Sequence, residues 1–102
     1  MDVQMKRGVL DGLVLSTLTG GDTYGYELTE QIIRQLDIAE MTLYPVLKRL
    51  EAQGCLTTYS MEYSGRLRKY YKITPAGQER LKEITAELRE LRALIDTIIR
   101  EG

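Results

Sequence analysis

The chain has no histidine, no tryptophan, no phenylalanine, one cysteine and two prolines in 102 residues. Without histidine it lacks the usual general base of neutral solution and the commonest metal ligand. Cys55 alone builds neither a zinc site nor an internal disulfide. With no glycine-rich phosphate loop either, no catalytic residue, metal ligand or cofactor is assigned, and the chain is not expected to be an enzyme. Its carboxylates fall mostly on predicted helix surfaces as solvated charges. Long apolar runs are missing as well: the charge-free stretch Gly12 to Gly21 is ten residues and none is longer, too short to span a bilayer. The stretch from Met1 to Arg7 lacks the basic-then-apolar order of a signal peptide. A lone thiol fits a reducing compartment, so a cytoplasmic location without membrane contact is expected. Cys55, between Gly54 and Leu56, reads as a small half-buried apolar residue, with a redox-sensing thiol as the alternative.

What is present is ordinary for a folded chain: 43% hydrophobic and 28% charged residues, with nine glycines, predict one globular domain rather than a disordered or repetitive segment. A chain of this size buries only about 60–70% of its unfolded surface. A long uncovered apolar face would therefore call for a second copy to cover it. The net charge of −1 conceals an asymmetry: residues 1–40 carry three basic and seven acidic groups, residues 41–72 six basic against two acidic, and residues 73–102 five against six. Positive charge is concentrated in the middle third, which points to an anionic partner for that part of the surface.

The order of elements follows from periodicity. Val9, Leu10, Leu13, Val14 and Leu18 recur at helical spacing and predict a first helix over Lys6–Leu18, stopped by Gly20-Gly21. Asp22 or Thr23 is a suitable N-cap for a second helix, with an apolar face of Leu28, Ile32, Ile33 and Leu36 and an end near Gln35 or Leu36. A third helix, from Met41 or Thr42 to Gly54, carries Leu43, Val46, Leu47 and Leu50 on one stripe, with Pro45 in its first turn. Leu56–Tyr63 and Leu67–Thr74, dense in threonine, tyrosine and isoleucine and joined by Ser64-Gly65-Arg66, predict an antiparallel hairpin. Alternation sends the rings of the adjacent Tyr70 and Tyr71 to opposite faces, one under the wing and one toward the phosphate backbone; the pattern leaves open which is which, and the face that Tyr71 shares with Leu67, Lys69 and Ile73 favours Tyr71 inward. Thr74-Pro75 then opens a last helix running to about Arg100. Leu81, Ile84, Leu88, Leu91, Ile95 and Ile98 are spaced 3, 4, 3, 4 and 3, widened by Leu94 and Ile99. About 25 residues of helix span roughly 38 Å, more than the rest of the chain covers, and a seam of this kind predicts a partner helix from a second copy.

The fold class is thus mainly α with a small β-hairpin: a winged helix-turn-helix over residues 1–74 and a long C-terminal dimerisation helix over residues 75–102, forming one compact unit. Opposite its apolar stripe the third helix presents Tyr44, Pro45, Lys48 and Ala52, flanked by Thr42 and Arg49. Hydroxyls and cations on such a face suit phosphates and base edges in a major groove. Gly65-Arg66-Leu67-Arg68-Lys69 sets three cations at the hairpin tip, where they can reach phosphates or a minor groove. Double-stranded DNA is the expected partner. The alternative is a protein-docking winged helix, in which the same surface grips another polypeptide.

Tyr24-Gly25-Tyr26-Glu27-Leu28, Thr42-Leu43-Tyr44-Pro45 with Lys48-Arg49-Leu50-Glu51 and Gly54, and Gly65-Arg66-Leu67-Arg68-Lys69-Tyr70-Tyr71 ahead of Thr74 and Gly77 run in this order along nearly the whole chain. In these segments the sequence resembles the PadR family of bacterial transcriptional regulators, and among them the short members with one helix after the wing. The resemblance implies a homodimeric repressor on a palindromic operator, with Thr42, Tyr44 and Lys48 on the recognition helix, Arg66, Arg68 and Lys69 on the wing, and Thr23 and Tyr24 near the phosphate backbone. It implies a dimer interface in which the last helix packs on the partner's first and last helices, giving Leu10, Leu81, Ile84, Leu88, Leu91, Ile95 and Ile98. A small-molecule effector is left open. Two departures stand out: Met41 where many relatives have glycine, which bears on the approach to the recognition helix, and the absence of tryptophan and phenylalanine, which removes the flat surfaces that drug-sensing relatives use for stacking.

Overall fold

The computed structural model describes residues 3–35 and 40–100, with side chains from Gly8 to Gln35 and from Thr42 to Arg100. The elements are α1 (Val3–Thr19), β1 (Thr23–Tyr24), α2 (Gly25–Gln35), α3 (Glu40–Ala52), β2 (Leu56–Tyr63), β3 (Arg66–Ile73) and α4 (Pro75–Arg100). The strands form one antiparallel sheet in the order β1-β3-β2. This is the architecture expected from the sequence, a winged helix-turn-helix with a long terminal helix, and α4 spans the predicted residues.

Three local expectations are corrected. Asp22 and Thr23 do not cap α2, because Thr23 and Tyr24 are extended and pair with Tyr71 and Tyr70 of β3. Their side chains serve other partners: the Thr23 hydroxyl donates to the Gly21 carbonyl at 3.2 Å and the Asp22 carboxylate accepts from the Tyr59 hydroxyl at 2.7 Å. The wing is therefore tied at its base by a third, two-residue strand that periodicity does not detect. In α3 the helix starts at Glu40, so Pro45 lies past the first turn and forgoes one backbone hydrogen bond inside the helix. The approach to α3, residues 36–39, lies outside the described residues, as does Leu36; the backbone at Met41 is already helical. The hairpin link is two residues, not three, since Arg66 already pairs with Tyr63. Ser64 and Gly65 both have positive φ, 53° and 79°, the paired left-handed conformation whose twist matches that of the flanking strands.

One core joins every layer. Leu10, Val14, Leu15 and Leu18 of α1 meet Leu28 and Ile32 of α2, Leu43, Leu47 and Leu50 of α3, Leu56, Tyr71 and Ile73 of the sheet, and Ile84 of α4. Of the two wing tyrosines left open by the sequence, Tyr71 is the one that points inward. Cys55 is buried, 6% exposed, rather than half-buried, which withdraws its thiol from the surface a redox sensor needs. The first turn of α4 is fixed to the end of α3 by Thr74. Its hydroxyl donates to the Gly54 carbonyl at 2.6 Å and accepts the Gly77 N–H at 3.0 Å, while its own N–H donates to the Cys55 carbonyl at 3.1 Å.

The apolar stripe of α4 divides in two. Ile84 is 1% exposed and Leu81 packs on the same core, both against α1, where Ile84 Cγ2 lies against Gly12. Leu10 is likewise sealed inside its own chain. Within one chain Leu10 and Ile84 are therefore core residues, and Ile84 also borders a groove between α1 and α4 with Val9, Leu13 and Leu88. Beyond Leu91 every residue of α4 up to Arg100 is exposed, Ile98 to 72% and Ile99 to 66%. The molecule measures 58 × 28 × 22 Å, and the outer apolar residues of α4 are uncovered.

Candidate nucleic-acid interface

Two elements supply the candidate surface, and β1 and α2 join them. The apolar stripe of α3 is spent on the core, which turns Tyr44, Pro45 and Lys48 outward, with Thr42 half-buried beside them. Across from this face stands the β2-β3 wing. Between wing and helix runs an open cleft of about 630 Å³ lined by Tyr24, Tyr26, Tyr44, Arg66, Arg68 and Lys69, among others. Five of the nine residues proposed from sequence as DNA contacts thus border one concavity. Lys48 lies one helical turn from Tyr44 on the same side of α3.

Arg49 departs from the group. Its guanidinium turns inward and donates two hydrogen bonds to Asp11 of α1, at 2.6 and 3.1 Å. Asp11 is 1% exposed, and a carboxylate so deeply placed requires its cation. The hydrogen bond to Asp11 raises the Arg49 pKa above its ordinary value, against the lowering effect of partial burial. Arg49 therefore locks α3 to α1, and its charge is already neutralised. Asp11→Ala is expected to lower stability by about 1–3 kcal/mol, since it strands a half-buried cation. In a double-mutant cycle with Arg49→Met by chemical denaturation, the double variant should lose less than the two single losses combined. Additive losses would show that the pair does not act as one unit.

The wing cations are held differently from one another. Lys69 Nζ lies 3.9 Å from Glu51 Oε1 at the end of α3 and 5.4 Å from the centre of the Tyr71 ring, a bridge between wing and helix. Arg66 is exposed at the hairpin tip. Arg68 is half-buried, its guanidinium carbon 4.5 Å from the centre of the Tyr24 ring and 4.2 Å from that of Tyr63. On the same sheet face Tyr70 stacks on Tyr59 at 5.4 Å and tilts against Tyr24 at 5.8 Å. The hydrogen bond from the Tyr59 hydroxyl to Asp22 raises the Tyr59 pKa and ties β2 to the turn before β1. Tyr70 thus faces outward but spends its ring on two other tyrosines.

Sequence reasoning missed Tyr59, Tyr63 and Asp11. The tyrosines follow from register once the turn is known to be two residues long. Pairing Tyr63 with Arg66, Met61 with Arg68 and Tyr59 with Tyr70 sets all six on one face, and Tyr63 becomes the diagonal neighbour of Arg68. Asp11 had no local signal, because its partner is 38 residues away.

A three-helix core with a flanking hairpin, an outward polar face on the third helix and a cationic wing beside it define a winged-helix transcriptional regulator. Sequence and structure comparisons give the family. Residues 14–83 match the transcriptional regulator PadR-like family, and the chain belongs to it. A transcriptional regulator of Mycobacterium tuberculosis is 37% identical over 89 residues, covering 86% of this chain and 83% of that protein. A crystal structure from Streptococcus mutans superposes with a TM-score of 0.86 at 38% identity, covering 92% of this chain and 89% of that one. A PadR family transcription regulator from Clostridium difficile does so at 0.79 and 32%, covering 88% and 97%. The family is one of regulators, not enzymes. Among the described residues no helix is long and apolar enough to cross a membrane, and no group of side chains is suited to hold a metal ion.

Proposed function

We propose that the chain is a homodimeric repressor that binds a palindromic DNA operator, with residues 1–74 contacting DNA and residues 75–102 pairing the subunits. The observation that carries this reading is the convergence of Tyr44, Arg66, Arg68 and Lys69 on one cleft beside the exposed Lys48. Phenol and ammonium groups on α3 suit a major groove, and wing cations suit the neighbouring backbone or minor groove. Tyr24 lines the same cleft, and Thr23 of β1 and Thr42 of α3, both half-buried, are further proposed contacts. With two subunits related by a two-fold axis, the recognition helices would enter successive major grooves about 34 Å apart, and repression follows from occupancy of the promoter.

The exposed end of α4 supports the dimer, since Leu88, Leu94, Ile95, Ile98 and Ile99 stand on it as a large uncovered apolar set of the kind that marks an interaction site. A small-molecule effector would act through the groove at the base of α4, lined by Thr19, Gln78, Leu81, Lys82, Thr85 and Arg89 with a volume of about 410 Å³. Among the described residues no aromatic ring lines it, so a flat aromatic effector would find no stacking surface there.

The test is a mobility-shift series on a palindromic duplex selected from a random pool. Affinity should fall steeply between about 50 and 200 mM salt as phosphate contacts are lost. Lys48→Ala and Arg68→Ala should each weaken binding by about five- to ten-fold and leave the dimer intact, each removing one charged contact worth about 1 kcal/mol or more. Affinity indifferent to salt, or unchanged in both variants, contradicts the assignment and leaves the protein-docking alternative.

A further inference from the structure

We propose that Tyr63 and Tyr24 are positioning residues that clamp Arg68 between their rings, and that this clamp makes Arg68 the pre-oriented cation of the wing. The proposal rests on the DNA-binding reading above and assigns within it a holding role to Tyr63, which the sequence pattern does not distinguish, and to Tyr24, which the family resemblance places near the phosphate backbone.

The observation is a difference among the cations. Arg49 is neutralised by Asp11 and Lys69 lies beside Glu51, whereas Arg68 has no carboxylate partner among the described residues. It is held at 4.5 and 4.2 Å by two neutral rings instead. An ion pair fixes a cation by spending its charge. A cation–π contact fixes it while leaving the charge and the N–H groups for another ligand. A flexible arginine loses much side-chain freedom when it binds, and one already held in place loses less. Arg66, exposed at the tip without such a hold among the described residues, is the contrasting case.

The clamp is also built into the fold. Tyr24 belongs to β1, immediately before α2, and Tyr63 is the last residue of β2. Tyr70 braces Tyr24 from β3 and is itself stacked on Tyr59, which the Asp22 carboxylate anchors. Arg68 is thereby referenced to the start of α2 as well as to its own hairpin, so its place relative to α3 does not depend on the hairpin tip alone. Tyr63 is 57% exposed, so its replacement removes the ring without opening a core.

The experiment measures affinity for the selected duplex, by fluorescence anisotropy across a salt series, for Tyr63→Leu, Tyr63→Phe, Arg68→Ala and the Tyr63→Leu/Arg68→Ala double variant, with thermal midpoints alongside. Tyr63→Leu is expected to weaken binding about three- to five-fold, the size of an exposed cation–π contact. The salt slope should not change, because no charge is lost. Tyr63→Phe, which keeps the ring, should stay within about two-fold of the wild type, and so should the effect of adding Tyr63→Leu to Arg68→Ala. The clamp is overturned if Tyr63→Leu costs the same with or without Arg68, if Tyr63→Phe loses as much as Tyr63→Leu, or if neither has an effect. Each of those results leaves DNA binding standing. A wild-type chain that ignores the duplex at low salt defeats the DNA reading itself.

Discussion

Gly77→Ala is expected to be among the most damaging single-methyl changes in the chain. A β-carbon at this position would overlap the Cys55 carbonyl oxygen, and it would lie 2.8 Å from Ile73 Cγ1 and 3.1 Å from the Cys55 carbonyl carbon. The obstruction is mainly backbone, and that backbone is committed: the Cys55 carbonyl accepts from Thr74 and the Cys55 N–H donates to the Leu50 carbonyl at 2.9 Å. Relief would require α4 to lift away from the end of α3, breaking the Thr74 hydrogen bonds that cap it. Forcing a methyl group into such a site costs about 1–3 kcal/mol or more, and the lost cap adds about 1 kcal/mol. The gain in helix propensity from glycine to alanine, about 1 kcal/mol, opposes this without cancelling it. At equal protein concentration the thermal midpoint should drop by about 5–15 °C, at roughly 4–8 °C per kcal/mol for a domain of this size. Gly12→Ala, which meets only the side-chain atom Ile84 Cγ2 at 3.3 Å, should lose far less, and Gly8→Ala, with nothing within 4 Å, should not lose stability. A Gly77→Ala protein that melts with the wild type would mean that α4 is not seated on Cys55 as described.

The contrast between these glycines shows which parts of the molecule could be read from its sequence. Periodic elements were legible because their burial is local: β2 and α4 have the predicted boundaries, and most of the described stripe residues of α1, α2 and α3 lie in the core, joined there by Leu15. Gly77 was visible as part of a family-like segment, yet the reason for it is the carbonyl of Cys55, 22 positions earlier, which no periodicity reveals. β1 escaped for the same reason, since a two-residue strand exists only through its pairing with Tyr70 and Tyr71. The candidate site shows the same division. Its outward residues on α3 and its wing cations follow from amphipathic phase and turn composition. The withdrawal of Arg49 and the capture of Arg68 depend on groups brought in by tertiary contact, Asp11 and the Tyr24–Tyr63 pair. Charge counting alone overstates the basic surface, because it weighs Arg49 and Lys69 equally with Lys48 and Arg66.

Replacing both Ile95 and Ile98 with glutamate should convert the protein to a monomer and lower its affinity for a palindromic duplex by about 100-fold or more. Both side chains are exposed within their own chain, 38% and 72% respectively, so the change takes nothing from the core around Ile84. Each copy gains two negative charges at the proposed seam, where they would face their own equivalents across a two-fold axis and would have to be buried unpaired. Without a partner the outer part of α4 has no tertiary support, and an unsupported stretch this short is only marginally helical in water. A modest loss of helical circular dichroism should accompany dissociation, with the melting of residues 1–74 little changed. The affinity follows from linkage: joined subunits place the second wing and recognition helix at high effective concentration over the second half-site, which typically contributes 10²–10⁴-fold. Lys48→Ala and Arg68→Ala act on each half-site and should leave sedimentation untouched, so the two kinds of variant separate pairing from contact. A double glutamate variant that still sediments as a dimer would relocate the interface away from the end of α4. One that sediments as a monomer with undiminished affinity would instead refute the two-fold mode of binding.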